Sequence, residues 1–384
     1  MALFSEILPS LPVDAFCQQS IDSSLQSVDR ILSNGKANSL SEFATLLSPA
    51  ARDRLEQIAQ ISQSLTQQHF GKVIRFFAPI YLSNECVNIC KYCGFSRNNP
   101  IPRKTIAVDQ VVSEVKQLAK KGFKSLLIVS GEHPKFVSPT YLEDCIAECI
   151  KIMPGIQIEI GPLSNDDCVP LVNAGCEGFV LYQETYHKET YQKHHTAGPK
   201  KDYLARLEAV ENAYSSGFRK LGIGALLGLY DWRHEAIALA AHAKHLTKKC
   251  WKAQVSLSFP RMRPAAGEFS DDNLTEVTDR DMIQLICAMR LYLPKAAFTL
   301  STREPQSFRD GLIPLGITHM SAGVCTEPGG YSDFDDETWT QTREQPGEQF
   351  NIADERPPHE VAAAIQEKGY EAVWKDSEKT LVTQ

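Results

Sequence analysis

The sequence lacks the features of membrane, secreted and nucleic-acid-binding proteins. It has no basic run, and 40 Lys and Arg against 47 Asp and Glu give a net charge of −7, which disfavours a partner held mainly through phosphates. Its longest apolar stretches, such as residues 221–229, are far too short to span a membrane. Residues 1–12 lack the basic segment and long apolar core of a signal peptide. We therefore expect a cytoplasmic protein without a membrane or nucleic-acid partner.

A disulfide framework is also not expected. The eleven cysteines are odd in number and scattered through a chain of 384 residues, which is large enough to fold without cross-links. Most of them are expected to be small buried residues, including Cys145 and Cys149 in a helical pattern and Cys176 in a loop. Three adjacent cysteines do not fit this description.

Neither a P-loop nor a Gly-rich dinucleotide fingerprint follows the first predicted strand, which disfavours an open doubly wound sheet. Instead, short β-rich runs alternate with amphipathic helices, as in an α/β protein built as a (β/α)₈ TIM-type barrel. We expect an N-terminal helical extension at residues 1–72, the barrel at 73–325 and a C-terminal extension at 326–384, with a short helix at 359–368, packed on the barrel. The predicted strands are 73–81, 125–129, 156–160, 178–182, 220–226, 254–258, 297–300 and 317–321.

The cysteine loop (residues 86–93) follows the first strand and carries Cys86, Cys90 and Cys93. Thiolates are soft ligands suited to iron–sulfur clusters and zinc. Three ligands leave one iron of a [4Fe–4S] cubane open to an outside molecule. Structural zinc sites generally pair two short knuckles, and no second CxxC is present; a ferredoxin-like carrier would have a different spacing and a smaller size. The triplet therefore favours a cubane with an open iron.

The sequence resembles the radical S-adenosylmethionine superfamily, and within it the tyrosine lyases of thiazole biosynthesis. The resemblance implies a [4Fe–4S] cluster on the three cysteines. It also implies that S-adenosylmethionine binds the open iron and is cleaved to a 5′-deoxyadenosyl radical. The stretches that carry the resemblance run through most of the chain; they are residues 79–84, 86–96, 130–133, 182–187, 258–264, 301–305, 328–331 and 373–376.

The resemblance also implies roles for four S-adenosylmethionine-binding residues. Glu132 would receive the amino group of the methionine portion, and Glu184 the ribose hydroxyls. Arg206 would pair with the carboxylate, for which its planar fork is suited, and Tyr92 would pack against adenine. The alternatives are solvated loop acids for both glutamates and an exposed helix arginine beside Glu208 for Arg206.

For the substrate, the resemblance implies that Arg303 and Ser321 hold an amino-acid carboxylate. A zwitterion in the mouth of a barrel needs such a charge partner, because an unpaired charge there is costly. Arg303 could instead pair with Asp310. Tyr81 could lie against the substrate or be a core aromatic residue. Four further polar residues lie near the predicted strand ends; they are His187, His194, His195 and Arg261. The histidines could be acid–base groups or polar loop residues, and Arg261 is given no role.

The implied reaction is cleavage of the Cα–Cβ bond of L-tyrosine to dehydroglycine and 4-methylphenol, with 5′-deoxyadenosine and methionine, for the thiazole of thiamine. An external electron donor of flavodoxin or ferredoxin type and a thiazole synthase are the implied partners. Three alternatives stay open: a lyase acting on tryptophan, a hydrogenase-maturing tyrosine lyase, and a non-catalytic zinc- or iron–sulfur-stabilised binding protein. The maturing lyase is disfavoured because it carries C-terminal cysteines, whereas the last cysteine here is Cys325.

Overall fold

The structure of the protein, a computed structural model, describes residues 2–265, 274–333 and 347–374. Within them no helix combines the length and the apolar character needed to cross a membrane. The strands are β1 (Val73–Ser83), β2 (Ile89–Cys90), β3 (Ser125–Ser130), β4 (Gly155–Glu159), β5 (Gly178–Val180), β6 (His195–Ala197), β7 (Lys220–Gly224), β8 (Gln254–Ser258), β9 (Ala297–Leu300), β10 (His319–Ser321) and β11 (Glu371–Val373).

Helices precede, connect and follow these strands. The α-helices are α1 (Phe4–Ile7), α2 (Val13–Asp22), α3 (Leu25–Ser33), α4 (Leu40–Leu46), α5 (Leu55–Phe70), α6 (Val108–Lys120), α7 (Pro139–Cys149), α8 (Asn165–Asn173), α9 (Lys188–His194), α10 (Tyr203–Ser215), α11 (Trp232–Lys249), α12 (Asp279–Tyr292), α13 (Gln306–Leu312) and α14 (Pro358–Glu367). Short 3₁₀ turns lie at Leu8–Ser10, Ala50–Arg54, Pro199–Lys201, Ile313–Leu315 and Gly330–Asp333.

Eight parallel strands form a closed barrel. The hydrogen-bonded order is β10-β9-β8-β7-β5-β4-β3-β1, and β1 also pairs with β10, through Arg75↔His319, Phe76↔Met320 and Phe77↔Ser321. An open doubly wound sheet would leave these two strands as edges, so the predicted (β/α)₈ barrel is confirmed. Each of the eight predicted strands overlaps one barrel strand, and those at 254–258 and 297–300 have the predicted bounds.

The chain on either side of the barrel packs against it. Helices α1, α2, α4 and α5 lie against barrel helices: α5 and α4 pack on α12, α2 on α11 and α1 on α10. From α1, the Phe4 backbone N–H donates to Glu211 Oε1 of α10 at 2.8 Å, and the Phe4 ring stacks on His242 of α11 with centroids 4.3 Å apart.

The C-terminal part also joins the sheet, because β11 adds to β1 in parallel with Val73 opposite Glu371. Directly after β11, Trp374 packs edge-on to Phe76 and Phe123. The helix α14 overlaps the helical pattern noted at residues 359–368.

The division into 1–72, 73–325 and 326–384 stays a prediction. Positions 334–346 and 375–384, including the last two of the 373–376 motif, lie outside the described residues.

Candidate active site

A cavity of about 910 Å³ lies at the carboxyl ends of the barrel strands, which is where barrel enzymes place their chemistry. Residues predicted for the cofactors and residues predicted for the substrate line the same space. The six predicted residues in its wall are Tyr81, Tyr92, Cys93, Glu184, Arg303 and Ser321. The other four, Cys86, Cys90, Glu132 and Arg206, do not line the cavity.

The cysteine loop is held in a fixed path by backbone contacts. Ile89 and Cys90 form β2, which pairs antiparallel with β6, and the Cys93 N–H donates to the Cys90 carbonyl at 3.2 Å. On the following turn, the Arg103 guanidinium donates to the carbonyls of Asn84, Phe95, Ser96 and Asn99. These contacts fix the turn that follows Cys93, and sequence reasoning had not identified Arg103.

The three thiols of this loop suit an iron–sulfur cubane. Burial raises the pKa of the Cys90 thiol to about 12; the Lys200 ammonium opposes this rise, and the Cys93 and Cys86 thiols add to it. The three thiols therefore affect one another electrostatically, and the Lys200 ammonium favours the thiolate form of Cys90. No three His, Cys, Asp or Glu side chains within 2–265, 274–333 and 347–374 are grouped as ligands of a single metal ion. In a cubane each thiolate binds a different iron, so its ligands do not converge on one point.

Glu132 lies against the cysteine loop. Its carboxylate accepts a hydrogen bond from Asn88 Nδ2 at 2.7 Å, and its carbonyl accepts from the Val87 N–H at 2.9 Å. A Cβ atom at Gly161 would lie 2.7 Å from the carboxyl carbon of Glu132, so glycine is required there for the glutamate to keep this position. The side chain is thus fixed beside the cysteine loop and is not a freely solvated loop acid.

Glu184 forms a cluster of charges with Lys200 and Arg206. Lys200 Nζ lies 2.8 Å and Arg206 Nη2 3.3 Å from Glu184 Oε1. Burial alone would raise the pKa of this carboxyl, but Lys200 and Arg206 together lower it below its ordinary value. Both cations contact Oε1, so in the described structure Oε2 has no protein partner. Glu184 also has a backbone φ of 69°, a left-handed conformation that is costly outside glycine and is concentrated at functional sites.

Arg206 is buried, with 6% of its surface exposed, so the exposed helix arginine considered above does not describe it. Its Nε donates to the Tyr182 carbonyl at 2.6 Å, which fixes the guanidinium under the cavity wall. The neighbouring Glu208 is bound instead by Ser5 at 2.6 Å.

Tyr92 and His195 form a hydrogen-bonded pair beside the cysteine loop. The Tyr92 hydroxyl lies 2.7 Å from His195 Nε2, and His195 Nδ1 lies 2.7 Å from the Tyr191 carbonyl. Because a carbonyl can only accept, Nδ1 carries the proton and Nε2 accepts from Tyr92. Burial lowers the pKa of His195 well below its ordinary value. His195 is therefore a neutral residue that orients Tyr92.

Arg303 projects into the cavity without a protein anion. Its guanidinium carbon lies 3.4 Å from the centre of the Phe350 ring, and no described residue forms an ion pair or hydrogen bond with the guanidinium. Asp310, the partner considered for it from the sequence, pairs with Arg356 at 2.9 Å. Arg303 is consequently a cation available to a ligand.

Ser321 and Tyr81 lie in the same wall as Arg303. Ser321 ends β10, and its carbonyl accepts from the buried Arg309, which also pairs with Asp354. The Tyr81 hydroxyl donates to Gln349 Oε1 at 2.9 Å, and the Tyr81 ring packs edge-on to Phe95. The Tyr81 side chain and the Ser321 backbone are thus held in place at the cavity wall.

A C-terminal strap (residues 347–354) crosses the mouth of the barrel. The Gly94 N–H donates to the Gln349 carbonyl at 3.0 Å, and the Ala353 N–H donates to the Thr302 carbonyl at 2.9 Å. A Cβ atom at Gly94 would lie 2.3 Å from the Glu348 carbonyl oxygen. The strap therefore links the cysteine loop to the segment that carries Arg303, and both Gln349 and Phe350 line the cavity.

Two of the residues left open by the sequence are structural. Arg261 Nε lies 2.9 and 3.1 Å from the two carboxylate oxygens of Glu304, and its Nη1 lies 2.7 Å from Asp279. His187 caps α9 through Thr190 and stacks on Tyr230 with centroids 3.8 Å apart. Neither residue lines the cavity, and His194, which is buried, does not line it either.

Five residues of the cavity wall that bear on its chemistry were missed by sequence reasoning. Lys200 lies in a short 3₁₀ turn, Tyr182 follows β5, and the strap supplies residues from far along the chain. Glu159 had a visible signal, since it is an acidic residue at the carboxyl end of a predicted barrel strand. The missed residues are Glu159, Tyr182, Lys200, Gln349 and Phe350.

Comparison with known families matches two parts of the chain. Residues 80–240 match the Radical SAM superfamily. Residues 258–371 match the Biotin and Thiamin Synthesis associated domain. The first match covers the cysteine loop, Glu132, Glu184 and Arg206, and the second covers Arg303, Ser321 and the strap.

Similar proteins cover nearly the whole chain. It is 40% identical over 350 residues to the 2-iminoacetate synthase of Escherichia coli (strain K12), which covers 91% of this chain and 90% of that protein. It is 41% identical over 350 residues to the 2-iminoacetate synthase of Salmonella typhimurium, with the same coverage. Among solved structures, HydG, a maturase of the [FeFe]-hydrogenase, superposes with a TM-score of 0.87 at 31% identity, covering 94% of this chain and 79% of that one.

Proposed function

Because the chain belongs to the 2-iminoacetate synthase family of the radical S-adenosylmethionine superfamily, we propose that it cleaves the Cα–Cβ bond of L-tyrosine. The products would be 2-iminoacetate and 4-methylphenol, formed with 5′-deoxyadenosine and methionine. The enzyme is a radical S-adenosylmethionine lyase whose cofactors are a [4Fe–4S] cluster and S-adenosylmethionine.

One observation carries the proposal: the Arg303 cation, which has no anionic partner in the described chain, faces the same cavity as the cluster ligand Cys93. An amino-acid carboxylate bound to Arg303 would be held within the space that the cofactors also enter. A buried cation without a counter-ion is unfavourable, so ligand binding at this position would also relieve an electrostatic cost.

The cofactors would be held by seven side chains. Cys86, Cys90 and Cys93 would hold three irons of the cluster. When bound, the cluster and S-adenosylmethionine supply a 5′-deoxyadenosyl radical, which removes a hydrogen atom from the substrate amino group. Glu132, fixed by Asn88, would accept hydrogen bonds from the amino group of the methionine portion.

The other cofactor contacts follow from the charge cluster at Glu184. Oε1 of Glu184 is occupied by Lys200 and Arg206, which leaves Oε2 to accept from the ribose hydroxyls. Arg206 would present its remaining N–H groups to the methionine carboxylate. Tyr92, oriented by His195, would pack against adenine.

The substrate side would be formed by Arg303, Ser321 and Tyr81. Arg303 can grip a carboxylate through two parallel N–H donors, while the Ser321 hydroxyl can donate to the same group. Tyr81, held by Gln349, would lie against the aromatic ring of the substrate. The strap adds Gln349 and Phe350 to this part of the wall.

We further propose a thiazole synthase as the partner that consumes 2-iminoacetate, because an imine of this kind hydrolyses in water. A one-electron donor of flavodoxin or ferredoxin type would reduce the cluster. None of the eleven cysteines is in a disulfide, which suits a reducing cytoplasmic environment.

The proposal is tested by anaerobic incubation of the reconstituted protein with S-adenosylmethionine, dithionite and either L-tyrosine or L-tryptophan. Mass spectrometry of the small products should find 4-methylphenol with tyrosine and no cleavage of tryptophan. Cleavage of tryptophan in place of tyrosine would assign the chain to another aromatic substrate. A protein that binds iron but forms no 5′-deoxyadenosine with either amino acid would not be an enzyme of this class.

A further inference from the structure

Glu159 is the last residue of β4 and lines the cavity. Side chains alternate along a strand. Gln157, two residues earlier, also lies in a cavity wall inside the barrel, while Ile156 and Ile158 are buried in the surrounding core. The Glu159 carboxylate is therefore inside the barrel, at the end where catalytic groups are placed. The part of the chain that the structure describes provides it with no hydrogen bond and no ion pair.

Glu159 and Arg303 are two charges of opposite sign that share one cavity without forming an ion pair. Tyr81 and Tyr182 line the same cavity, and Glu159 and Arg303 each affect the pKa of the other and of these two hydroxyls. The other nearby cations, Lys200 in the wall and Arg206 outside it, are occupied by Glu184. A zwitterion carries both complementary charges on groups bonded to one carbon, and would satisfy both residues at once.

We propose that Glu159 binds the α-ammonium group of the substrate and accepts one of its protons; this rests on the proposed tyrosine cleavage. In this step one N–H bond breaks, its electron pair remains on nitrogen, and the proton forms an O–H bond with the Glu159 carboxylate. The product is a neutral amine. This step is useful because an ammonium nitrogen has no lone pair to stabilise the unpaired electron that hydrogen-atom removal leaves behind.

The electrostatic setting favours such a proton transfer. Burial raises the pKa of Glu159 to about 7, with Glu184 adding to the rise and Arg303 opposing it. The α-ammonium group of an amino acid titrates far above an ordinary carboxyl, so a raised pKa of Glu159 narrows the difference between the proton donor and the acceptor. The charged and titratable groups around Glu159 are Tyr81 from β1, Tyr182 and Glu184 after β5, Lys200 in the 3₁₀ turn, Arg206 from α10 and Arg303 after β9.

Two analogues of tyrosine distinguish the residue that binds its ammonium group from the residue that binds its carboxylate. Tyramine keeps the ammonium and lacks the carboxylate, whereas 3-(4-hydroxyphenyl)propanoate keeps the carboxylate and lacks the ammonium. Calorimetry on the reconstituted enzyme with S-adenosylmethionine would measure their affinities. We expect Glu159→Gln to weaken tyrosine and tyramine about tenfold to a hundredfold, as for loss of a charged hydrogen bond, and to leave the propanoate unchanged. Arg303→Lys should instead weaken tyrosine and the propanoate and leave tyramine unchanged.

Two further variants control for folding and charge. Glu177→Gln removes a glutamate that pairs with Lys220 and does not line the cavity, so it should change none of these affinities. Glu159→Asp keeps the charge on a shorter side chain and should restore part of the tyramine affinity. With the wild type, kcat/KM for tyrosine should fall as the pH drops below about 7, since a protonated Glu159 cannot hold an ammonium. Glu159→Gln should lose this acidic limb.

The assignment would be overturned if Glu159→Gln weakened both analogues equally, because the carboxylate would then serve the phenol hydroxyl that they share. It would also be overturned if tyrosine and tyramine bound the variant as tightly as the wild type. Failure of the proposed function has a different signature: the wild type itself would form no 4-methylphenol from L-tyrosine.

Discussion

The guanidinium of Arg303 lies on the face of the Phe350 ring, with its carbon 3.4 Å from the ring centre. The two residues are 47 positions apart, and the strap brings them together over the cavity. A cation on an aromatic face is attracted by the ring quadrupole, and its planar donors remain available at the edge. Phe350 thus orients Arg303 without occupying the N–H groups that a carboxylate would bind.

Replacing Phe350 by Leu should therefore weaken tyrosine binding while the cluster still forms. A cation–π contact of this kind contributes about 0.5–2 kcal/mol, so the KM for tyrosine should rise roughly twofold to thirtyfold. Steady-state formation of 4-methylphenol measures it. Phe308→Leu is the matched control, because Phe308 lies under Arg261 at 4.9 Å and outside the cavity. An equal rise in KM in both variants would show a general packing effect and contradict the role of Phe350.

Arg303→Lys should separate cofactor use from substrate use. Lysine keeps the charge but loses the two-pronged grip, and one lost charged hydrogen bond weakens binding about tenfold to a hundredfold. The KM for tyrosine should rise, and slow cleavage of S-adenosylmethionine should continue without 4-methylphenol.

Glu184→Ala is the contrasting variant, because it should weaken the binding of S-adenosylmethionine itself. Measuring 5′-deoxyadenosine and 4-methylphenol in both variants tests this division. If Arg303→Lys lost S-adenosylmethionine binding with tyrosine affinity unchanged, Arg303 would belong to the cofactor.

Single replacement of Cys86, Cys90 or Cys93 by Ala should abolish the cluster absorbance and all 5′-deoxyadenosine formation. The intact protein should bind about four iron atoms, as for one cubane. Cys145→Ala and Cys176→Ala are matched controls, because both thiols are buried away from the cavity, and they should keep iron and activity. Loss of the cluster in Cys145→Ala as complete as in Cys90→Ala would make the ligand assignment wrong.

Asp354→Asn should destabilise the fold, because it leaves the fully buried Arg309 without its anion. Breaking a buried ion pair from one side costs about 3–5 kcal/mol, measured by urea unfolding of the anaerobically prepared protein. Asp310→Asn removes the second, more exposed partner of Arg356 and should cost about 1 kcal/mol or less. Equal unfolding free energies in the two variants would show that burial of Arg309 does not set the cost.

Much of the fold could be predicted because it depends on local sequence patterns. Eight β-rich runs separated by helices predict a barrel, and the cysteine spacing predicts a metal loop within eight residues. Closure through β1 and β10, by contrast, joins positions more than 200 residues apart, and β11 is a strand of three residues with no recognisable pattern. Such pairings depend on tertiary geometry that short-range periodicity does not contain.

The residues of the candidate site likewise divide into those that the sequence could predict and those that it could not. Residues at strand ends, such as Glu184 and Arg303, were visible because a barrel places those positions together. Lys200 could not be found, since it lies in a polar turn and only its contact with Glu184 reveals it. The strap residues Gln349 and Phe350 follow no element whose position could be predicted. The alternative pairing of Arg303 with Asp310 is wrong for a related reason: Arg356, from the C-terminal part, pairs with Asp310 instead.

The most direct test of tyrosine cleavage is the amount of 4-methylphenol formed relative to 5′-deoxyadenosine. The wild-type enzyme would be incubated without oxygen with S-adenosylmethionine, a reductant and L-tyrosine, and both products would be quantified from the same samples. Coupled cleavage predicts equal amounts throughout the reaction, and both should be absent from Cys90→Ala. Accumulation of 5′-deoxyadenosine with no 4-methylphenol would contradict the assignment of L-tyrosine as the substrate.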